Sequence, residues 1–297
     1  MRSNELNQPI SIVIPAYNEE SAIVDTIDEV KRVCQSANLS YEIIVVNDGS
    51  TDHTEDQLKL TGVTVITHPH NIGYGRSLKD GIKAAQYDTI VITDADCTYP
   101  FDKTPELLEV FNKGFDMVVG ARTGKYYQES ILKAPLRRIL RFIVEFSAER
   151  KIPDINSGLR VFSKSKLIPM LPRLCNTFSF TTSMTLGFMM TGKFVKYVDI
   201  PYYNRKGKTK VKLFKDSLRT LQYILQAINY YNPLKLFMLF SWCSIILSFW
   251  FFVFGIFTHW NTLVSFGIGS ALLSLIILSC GLLADSLKQI VDKNAEM

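Results

Sequence analysis

From Leu236 to Ala284 the chain carries no Asp, Glu, Lys or Arg, and only His259 could titrate near neutrality. A helix crossing about 30 Å of hydrocarbon needs roughly 20 predominantly apolar residues. The stretch divides into two such lengths, Leu236 to Phe257 and Thr262 to Ala284, around the polar turn Thr258-His-Trp-Asn261. Burying two consecutive uncharged helices in a soluble core would demand more surrounding protein than 297 residues supply. The segment therefore reads as a transmembrane hairpin with Trp260 at interfacial height. Arg205, Lys206, Lys208, Lys210, Lys212, Lys215, Arg219 and Lys235 precede the first span, and Lys288 and Lys293 follow the second. By the positive-inside rule, both termini and everything before Leu236 are expected on the cytoplasmic face. No amino-terminal signal peptide is expected, because the apolar run from Ile10 to Pro15 is short and soon followed by charges.

The net charge of +5 is mild, and its basic residues gather beside the first span. That distribution favours anionic headgroups or phosphates at a bilayer surface over nucleic acid. The five cysteines, Cys34, Cys97, Cys175, Cys243 and Cys280, show no paired spacing and no accompanying histidine cluster. They imply no zinc site and suit a reducing compartment.

Ahead of this segment, short β-branched runs alternate with helical patterns. Strands are expected at Ile10 to Ile14, Glu42 to Val46, Val63 to Thr67, Thr89 to Thr93 and Asp116 to Val119. Helices are expected at Glu19 to Cys34, near Thr54 to Leu60, at Tyr74 to Ala85 and at Thr104 to Asn112. Such alternation implies crossover connections and a mainly parallel sheet, an α/β fold whose ligands bind beyond the carboxyl ends of the strands.

Four polar clusters each follow a strand: Pro15-Ala-Tyr-Asn-Glu-Glu20, Asn47-Asp-Gly-Ser-Thr-Asp52, His70-Asn-Ile-Gly-Tyr-Gly75 and Thr93-Asp-Ala-Asp96. One Asp-x-Asp alone would be an ordinary strand end. Four clusters converging on one rim form a candidate site. Asp48 can accept hydrogen bonds from a base edge, and main-chain amides near Gly49 and Gly73 can approach a ligand closely where no Cβ intervenes. Asp94 and Asp96 offer hard oxygen ligands for Mg²⁺ or Mn²⁺ bound together with a diphosphate. A dinucleotide fingerprint is excluded, because Leu78 occupies the third glycine position after Gly73-Tyr-Gly75 and the motif does not follow the first strand.

Taken together, Ile12-Val-Ile-Pro-Ala-Tyr-Asn-Glu-Glu20, Val45-Val-Asn-Asp-Gly-Ser-Thr-Asp52, Asn71-Ile-Gly-Tyr-Gly75, Asp94-Ala-Asp96, Val119-Gly-Ala-Arg122 and Asn156-Ser-Gly-Leu-Arg160 resemble the family 2 glycosyltransferases of the GT-A fold. The closest resemblance is to the branch of dolichyl-phosphate mannose synthase and the bacterial polyprenyl-phosphate glycosyltransferases. It implies a Rossmann-like catalytic domain over residues 1–204, a basic loop and juxtamembrane amphipathic helix over 205–234, two spans within 235–285 and a tail over 286–297. It also implies a nucleotide-diphosphate sugar donor (UDP- or GDP-linked), a divalent metal on the Asp-x-Asp, and a polyprenyl phosphate acceptor, undecaprenyl or dolichyl. By position, Pro15, Tyr17, Glu19, Asp48 and Gly73 would surround the nucleotide, and Asp94 and Asp96 would serve metal and ribose. Arg122 and Arg160 match arginines near the phosphates, while Arg205, Lys208 and Lys210 fall in the family's basic loop. Two residues depart from the pattern: Asn47 replaces the first Asp of the usual Asp-Asp-Gly-Ser, and Thr98 stands where mannose synthases carry Gln.

The acceptor side is expected to involve two amphipathic helices on the bilayer. One carries Leu136, Ile139, Leu140, Ile143 and Phe146 on one face with Arg137, Arg138 and Arg141 largely off it, and the other runs from Leu213 to Tyr231. In the expected chemistry, an oxygen of the lipid phosphate displaces the nucleoside diphosphate at the anomeric carbon with inversion. Arg160, Arg205, Lys208 and Lys210 hold the acceptor phosphate, metal on Asp96 serves the leaving group, and Asp154 orients or deprotonates the acceptor. Two other readings stay open: a glycolipid synthase with a hydroxyl acceptor, for which Asp154 would be the base, and a catalytically silent nucleotide-binding scaffold. Small residues Gly267, Gly269 and Ser270 in the hairpin suggest self-association through the membrane.

Overall fold

The computed structural model describes residues 8–124, 142–146, 148–204 and 213–296. It divides into two compact units, residues 1–224 and 225–297. The first is built on a seven-stranded sheet in the order β3-β2-β1-β4-β6-β5-β7. The strands are β1 (Ile10–Ala16), β2 (Tyr41–Asn47), β3 (Thr64–Thr67), β4 (Thr89–Ile92), β5 (Met117–Thr123), β6 (Arg160–Ser163) and β7 (Val195–Pro201). The helices are α1 (Ile23–Ser36), α2 (Thr54–Lys59), α3 (Tyr74–Ala84), α4 (Thr104–Phe111), α5 (Lys164–Leu167) and α6 (Phe180–Met190).

The central strands read as continuous apolar runs because both faces of the sheet are covered. Successive residues point to opposite faces. Ile12, Ile14, Val45, Val91 and Val118 meet α1, α2 and α4 on one side. Val13, Ile44, Val46, Ile90 and Ile92 meet α3 and α6 on the other. Helix α1 buries Ile23, Ile27, Val30, Val33 and Cys34, a single stripe at helical spacing. Gly81 lets α3 lie directly on the sheet, since an added Cβ would come within 2.5 Å of Val13.

The expected mainly parallel architecture holds, with β1, β2, β3 and β4 mutually parallel and β5 parallel to β7. Two strands were not anticipated from sequence. One of them, β6, inserts antiparallel between β4 and β5, with Arg160 opposite Ile92 and Val119. Its direction matters for function: the chain arriving at β6 from residue 154 lies on the same rim as the chain leaving β4 and β5.

Helix α7 (Leu213–Tyr231) has the bounds expected for the second amphipathic segment. In the second unit, α8 (Pro233–Phe257) and α9 (Asn261–Glu296) are each long and apolar enough to cross a membrane, with a mean hydropathy of 2.2 in the spanning range. Only 11% of the most apolar window of each is buried within the chain, unlike the core helix of a soluble protein. Helix α9 continues through the expected tail to Glu296, because Ala284 to Glu296 holds good helix formers and no Gly or Pro. Lys288 Nζ donates to the Tyr231 carbonyl at the end of α7 (2.6 Å), a cation at a helix carboxyl terminus.

Serines join the hairpin. Ser241, Ser244 and Ser248 on α8 donate to the carbonyls of Ser274, Ser270 and Gly267 on α9 at 3.0, 2.8 and 2.6 Å. A Cβ at Gly267 would sit 3.0 Å from Phe252 N. Gly267 and Ser270 are therefore occupied inside the hairpin, which removes them as grounds for contact between copies. Gly269, by contrast with Gly267, has open space around it.

Candidate active site

The first two strand-end loops lock each other. Asn18, in a left-handed conformation (φ 52°), accepts from Thr51 N through its side chain (2.7 Å), and its own amide donates to Ser50 Oγ (3.0 Å). Glu19 N donates to Thr54 Oγ1, and Glu20 accepts from His53 N. Asn47 is wholly buried and its Oδ1 receives Ser50 N (3.1 Å), so this departure from the family pattern shapes the turn. Its Nδ2 has no hydrogen-bond partner among the described residues.

Asp48 holds the third loop. Its two oxygens accept from Ile72 N (3.0 Å) and Gly73 N (2.8 Å), and His68 Nδ1 lies 2.7 Å away with its Nε2 facing Asp80 at 3.3 Å. Gly73 needs its freedom: its φ is 126°, and a Cβ would meet Asn176 O at 2.9 Å. The expectation that Asp48 receives a base edge thus acquires a second component, since the carboxylate already fixes the loop that carries Gly73.

Asp94 and Asp96 leave β4 at the cleft. Thr98 donates to Asp96 Oδ1 through both its hydroxyl (2.6 Å) and its amide (3.2 Å). Cys97 between them takes φ 58° to make this turn, with its Sγ 3.3 Å from Thr26 Oγ1. Thr98 is itself fully buried. It orients Asp96 from behind and presents no surface to a donor sugar. Asp94 Oδ1 accepts from Tyr74 Oη (2.9 Å). Burial first, then the Asp94 charge, pushes the Tyr74 pKa well above the ordinary value, so this hydroxyl stays a donor. Tyr99 Oη accepts from Gly158 N (2.6 Å).

Arg122 and Asp154 form a two-pronged pair, Nε to Oδ2 at 2.7 Å and Nη2 to Oδ1 at 2.9 Å, and the guanidinium lies 5.3 Å from the centroid of Tyr202. Burial alone would raise the Asp154 pKa. The Arg122 bonds and charge, with the amides of Arg122 and Asn156, outweigh it and hold the carboxyl below its usual range. A carboxylate so stabilised is a poor proton acceptor. The carboxylate expected to orient or deprotonate the acceptor is thus engaged by Arg122 in this structure.

Arg160 is 0% exposed. It donates to the carbonyls of Ser157 (2.7 Å) and Ile155 (2.8 Å) and to Thr185 Oγ1 (2.7 Å). The structure places the guanidinium that was expected at an acceptor phosphate inside the wall, against Asn156-Ser-Gly158. Thr182 fixes Asn156 from α6 through a hydrogen bond of 2.6 Å.

These elements enclose an open cleft of about 260 Å³. Pro15, Tyr17, Glu19, Asp48, Gly73, Asp94 and Asp96 all line it, as do Tyr74 and Asn156, which the sequence motifs contain with no role assigned, and Phe178 and Thr181, which sequence reasoning missed. The latter two come from the segment around α6, whose contribution had no motif to announce it. Arg122, Asp154 and Arg160 lie outside the lining. Arg205, Lys208 and Lys210, like residues 126–141 of the first amphipathic segment, fall outside the described residues.

Among the described residues no group of three or more His, Cys, Asp or Glu could by itself hold a metal ion. Asp94 and Asp96 present a pair of hard oxygen donors at a solvent-open cleft. That donor set fits Mg²⁺ or Mn²⁺ completed by phosphate and water, which such ions accept readily.

A model of the family described as "Glycosyl transferase family 2" matches residues 11–170. Curated relatives described as undecaprenyl-phosphate 4-deoxy-4-formamido-L-arabinose transferase, from Yersinia pestis and Yersinia pseudotuberculosis, are 28% identical over 198 residues. The match covers 62% of this chain and 60% of each relative, so it spans less than two thirds of their length. Among solved structures, glucosyl-3-phosphoglycerate synthase from Mycobacterium tuberculosis with Mn²⁺, UDP-glucose and phosphoglyceric acid superposes with a TM-score of 0.62 at 20% identity. The superposition covers 74% of this chain and 80% of that one. The same enzyme with Mn²⁺, UDP and glucosyl-3-phosphoglycerate gives 0.61 at 22% identity, with the same coverage. At these identities the likeness establishes the shared fold.

Proposed function

The chain belongs to glycosyl transferase family 2, and on that premise we propose that it moves one sugar from a nucleotide-diphosphate donor to a polyprenyl phosphate at the cytoplasmic face of a membrane. One observation carries this reading: Glu19, Asp48, Gly73, Asp94 and Asp96, from four separate strand ends, line a single cleft. Parallel sheets of this class bind ligands at that rim. The named Yersinia relatives point to a lipid phosphate acceptor, and the two long apolar helices supply a membrane anchor.

In this reading Pro15, Tyr17, Glu19, Asp48 and Gly73 form the nucleotide wall, and Asp94 and Asp96 would hold Mg²⁺ or Mn²⁺. When bound, that ion supplies positive charge for the departing diphosphate. A phosphate monoester with a second pKa of about 6 is largely dianionic at neutral pH. It needs placement more than deprotonation. Arg122, steadied by Asp154, is the described cation suited to the phosphates, and Arg205, Lys208 and Lys210 are proposed to gather the acceptor. Attack from the side opposite the leaving group inverts the anomeric centre. The hydroxyl-acceptor alternative requires a base, and Asp154, its first candidate, is committed to Arg122. Membership of a transferase family also disfavours a silent scaffold.

The test is product formation by the full chain with Mg²⁺ or Mn²⁺, a panel of UDP- and GDP-sugars and polyprenyl phosphate, followed by mass spectrometry of the lipid fraction. A lipid-phosphate-linked sugar from at least one donor, lost in Asp96→Ala, is expected. A product that forms at full rate in Asp96→Ala would refute the metal role.

A further inference from the structure

The carboxylate of Asp94 is approached from two sides by groups outside its own Asp-Ala-Asp motif. From α3, the hydroxyl of Tyr74 donates to Oδ1 at 2.9 Å. From the approach to β6, Gly158 lies so close that an added Cβ would stand 2.8 Å from each carboxylate oxygen. Tyr74 opens the helix that precedes β4, whereas Gly158 comes from much farther along the chain. The antiparallel insertion of β6 brings Gly158 to this place, and the start of α3 brings Tyr74.

The Tyr74 ring is itself braced. Phe178 stacks on it with centroids 5.9 Å apart and planes 14° from parallel. The backbone beneath is fixed as well: Arg76 N donates to Asn176 O (2.9 Å), and Gly75 leaves no room for a Cβ against the Cys175 carbonyl. Tyr74 is thus a rigid donor aimed at one oxygen of one carboxylate. Asp96 is restrained in the parallel manner, by Thr98.

Partners behind a metal-binding carboxylate fix its orientation, and their loss weakens metal binding without removing a ligand. We propose that Tyr74 is a positioning residue for the divalent-cation site, setting through its hydroxyl the direction in which Asp94 presents its charge to a metal-nucleotide complex. The proposal rests on the reading of Asp94 and Asp96 as the cation seat and adds the residue that orients it.

The discriminating experiment measures Mn²⁺ binding to the full chain in detergent by electron paramagnetic resonance, with UDP and, in a parallel series, with GDP. Wild type, Tyr74→Phe and Asp94→Asn are compared, and melting temperature is recorded for each. Phe keeps the ring and its stack on Phe178, so the change removes only the hydroxyl. The expected result is Mn²⁺ affinity roughly 10- to 100-fold weaker in Tyr74→Phe at an unchanged melting temperature, and loss of binding in Asp94→Asn. Turnover in Tyr74→Phe should recover as Mn²⁺ is raised, because the site is misaligned rather than absent. Wild-type affinity in Tyr74→Phe, or a loss matched by a fall in melting temperature, would overturn the assignment while leaving the cation seat intact. Absence of Mn²⁺ binding by wild type with either nucleotide, or unchanged binding by Asp94→Asn, would overturn both.

Discussion

Thr98 and Asp154 show how a side chain's partners decide its role. Thr98 occupies a fully buried position and spends its hydroxyl on Asp96. Replacing it by the Gln of the mannose synthases inserts volume where none is free, which costs about 1–3 kcal/mol. The expectation for Thr98→Gln is therefore a lower melting temperature with no gain in metal affinity, measurable by thermal unfolding beside Mn²⁺ titration. Asp154→Asn breaks a largely buried ion pair and should cost about 3 kcal/mol in denaturant unfolding, because Arg122 loses its counter-charge. The pH dependence has a definite sign. The folded-state pKa of Asp154 is depressed, so its contribution is complete above the unfolded value of roughly 3.9 and is lost as pH falls through the folded value. The stability gap between wild type and Asp154→Asn should hold at neutral pH and shrink in acid. Neither residue's role was readable from sequence, since a buried ion pair linking residues 122 and 154 is a property of the folded chain.

Strands β1 to β5 and helices α1 to α4 were readable because their apolar periodicities are strong and bounded by turn residues. Strand β6 was not: it has four residues and begins with an arginine, and its burial comes from neighbours distant in sequence. Among the described residues strand β7 pairs along one side only, with β5, and its Val-Lys-Tyr-Val-Asp-Ile pattern mixes charges among apolar residues as an edge strand does. Missing β6 hid the placement of Asn156 and Gly158 beside the Asp-x-Asp, although the motif residues themselves were identified. In the hairpin, three serine hydroxyls bond across α8 and α9. Such bonds average about 0.6 kcal/mol each, so the triple change of Ser241, Ser244 and Ser248 to Ala should destabilise the hairpin by about 2 kcal/mol. Trp242, Trp250 and Trp260 are the three tryptophans and all lie in this unit. Intrinsic fluorescence during denaturation therefore reports on it selectively, and an unaltered transition would mean the serine bonds contribute nothing.

Across the chain, charge distribution specified an orientation that the two helices make physically possible. If both ends of the hairpin face the cytoplasm, a cysteine placed at His259 in a cysteine-free background labels with an impermeant reagent from the outer face, while Cys97 restored to that background does not. Labelling of both from the same side would contradict the proposed topology. The central claim joins this anchor to the cleft: a sugar leaves a nucleotide there and arrives on a lipid phosphate. Its most direct measurement is nucleoside-diphosphate release by the full chain in bilayers, with Mn²⁺ and each donor sugar, in the presence of polyprenyl phosphate, of diacylglycerol, or of neither. Release coupled one-to-one to lipid-linked sugar only with polyprenyl phosphate is the predicted result, and transfer to diacylglycerol, or no lipid-linked sugar from any donor, would contradict it.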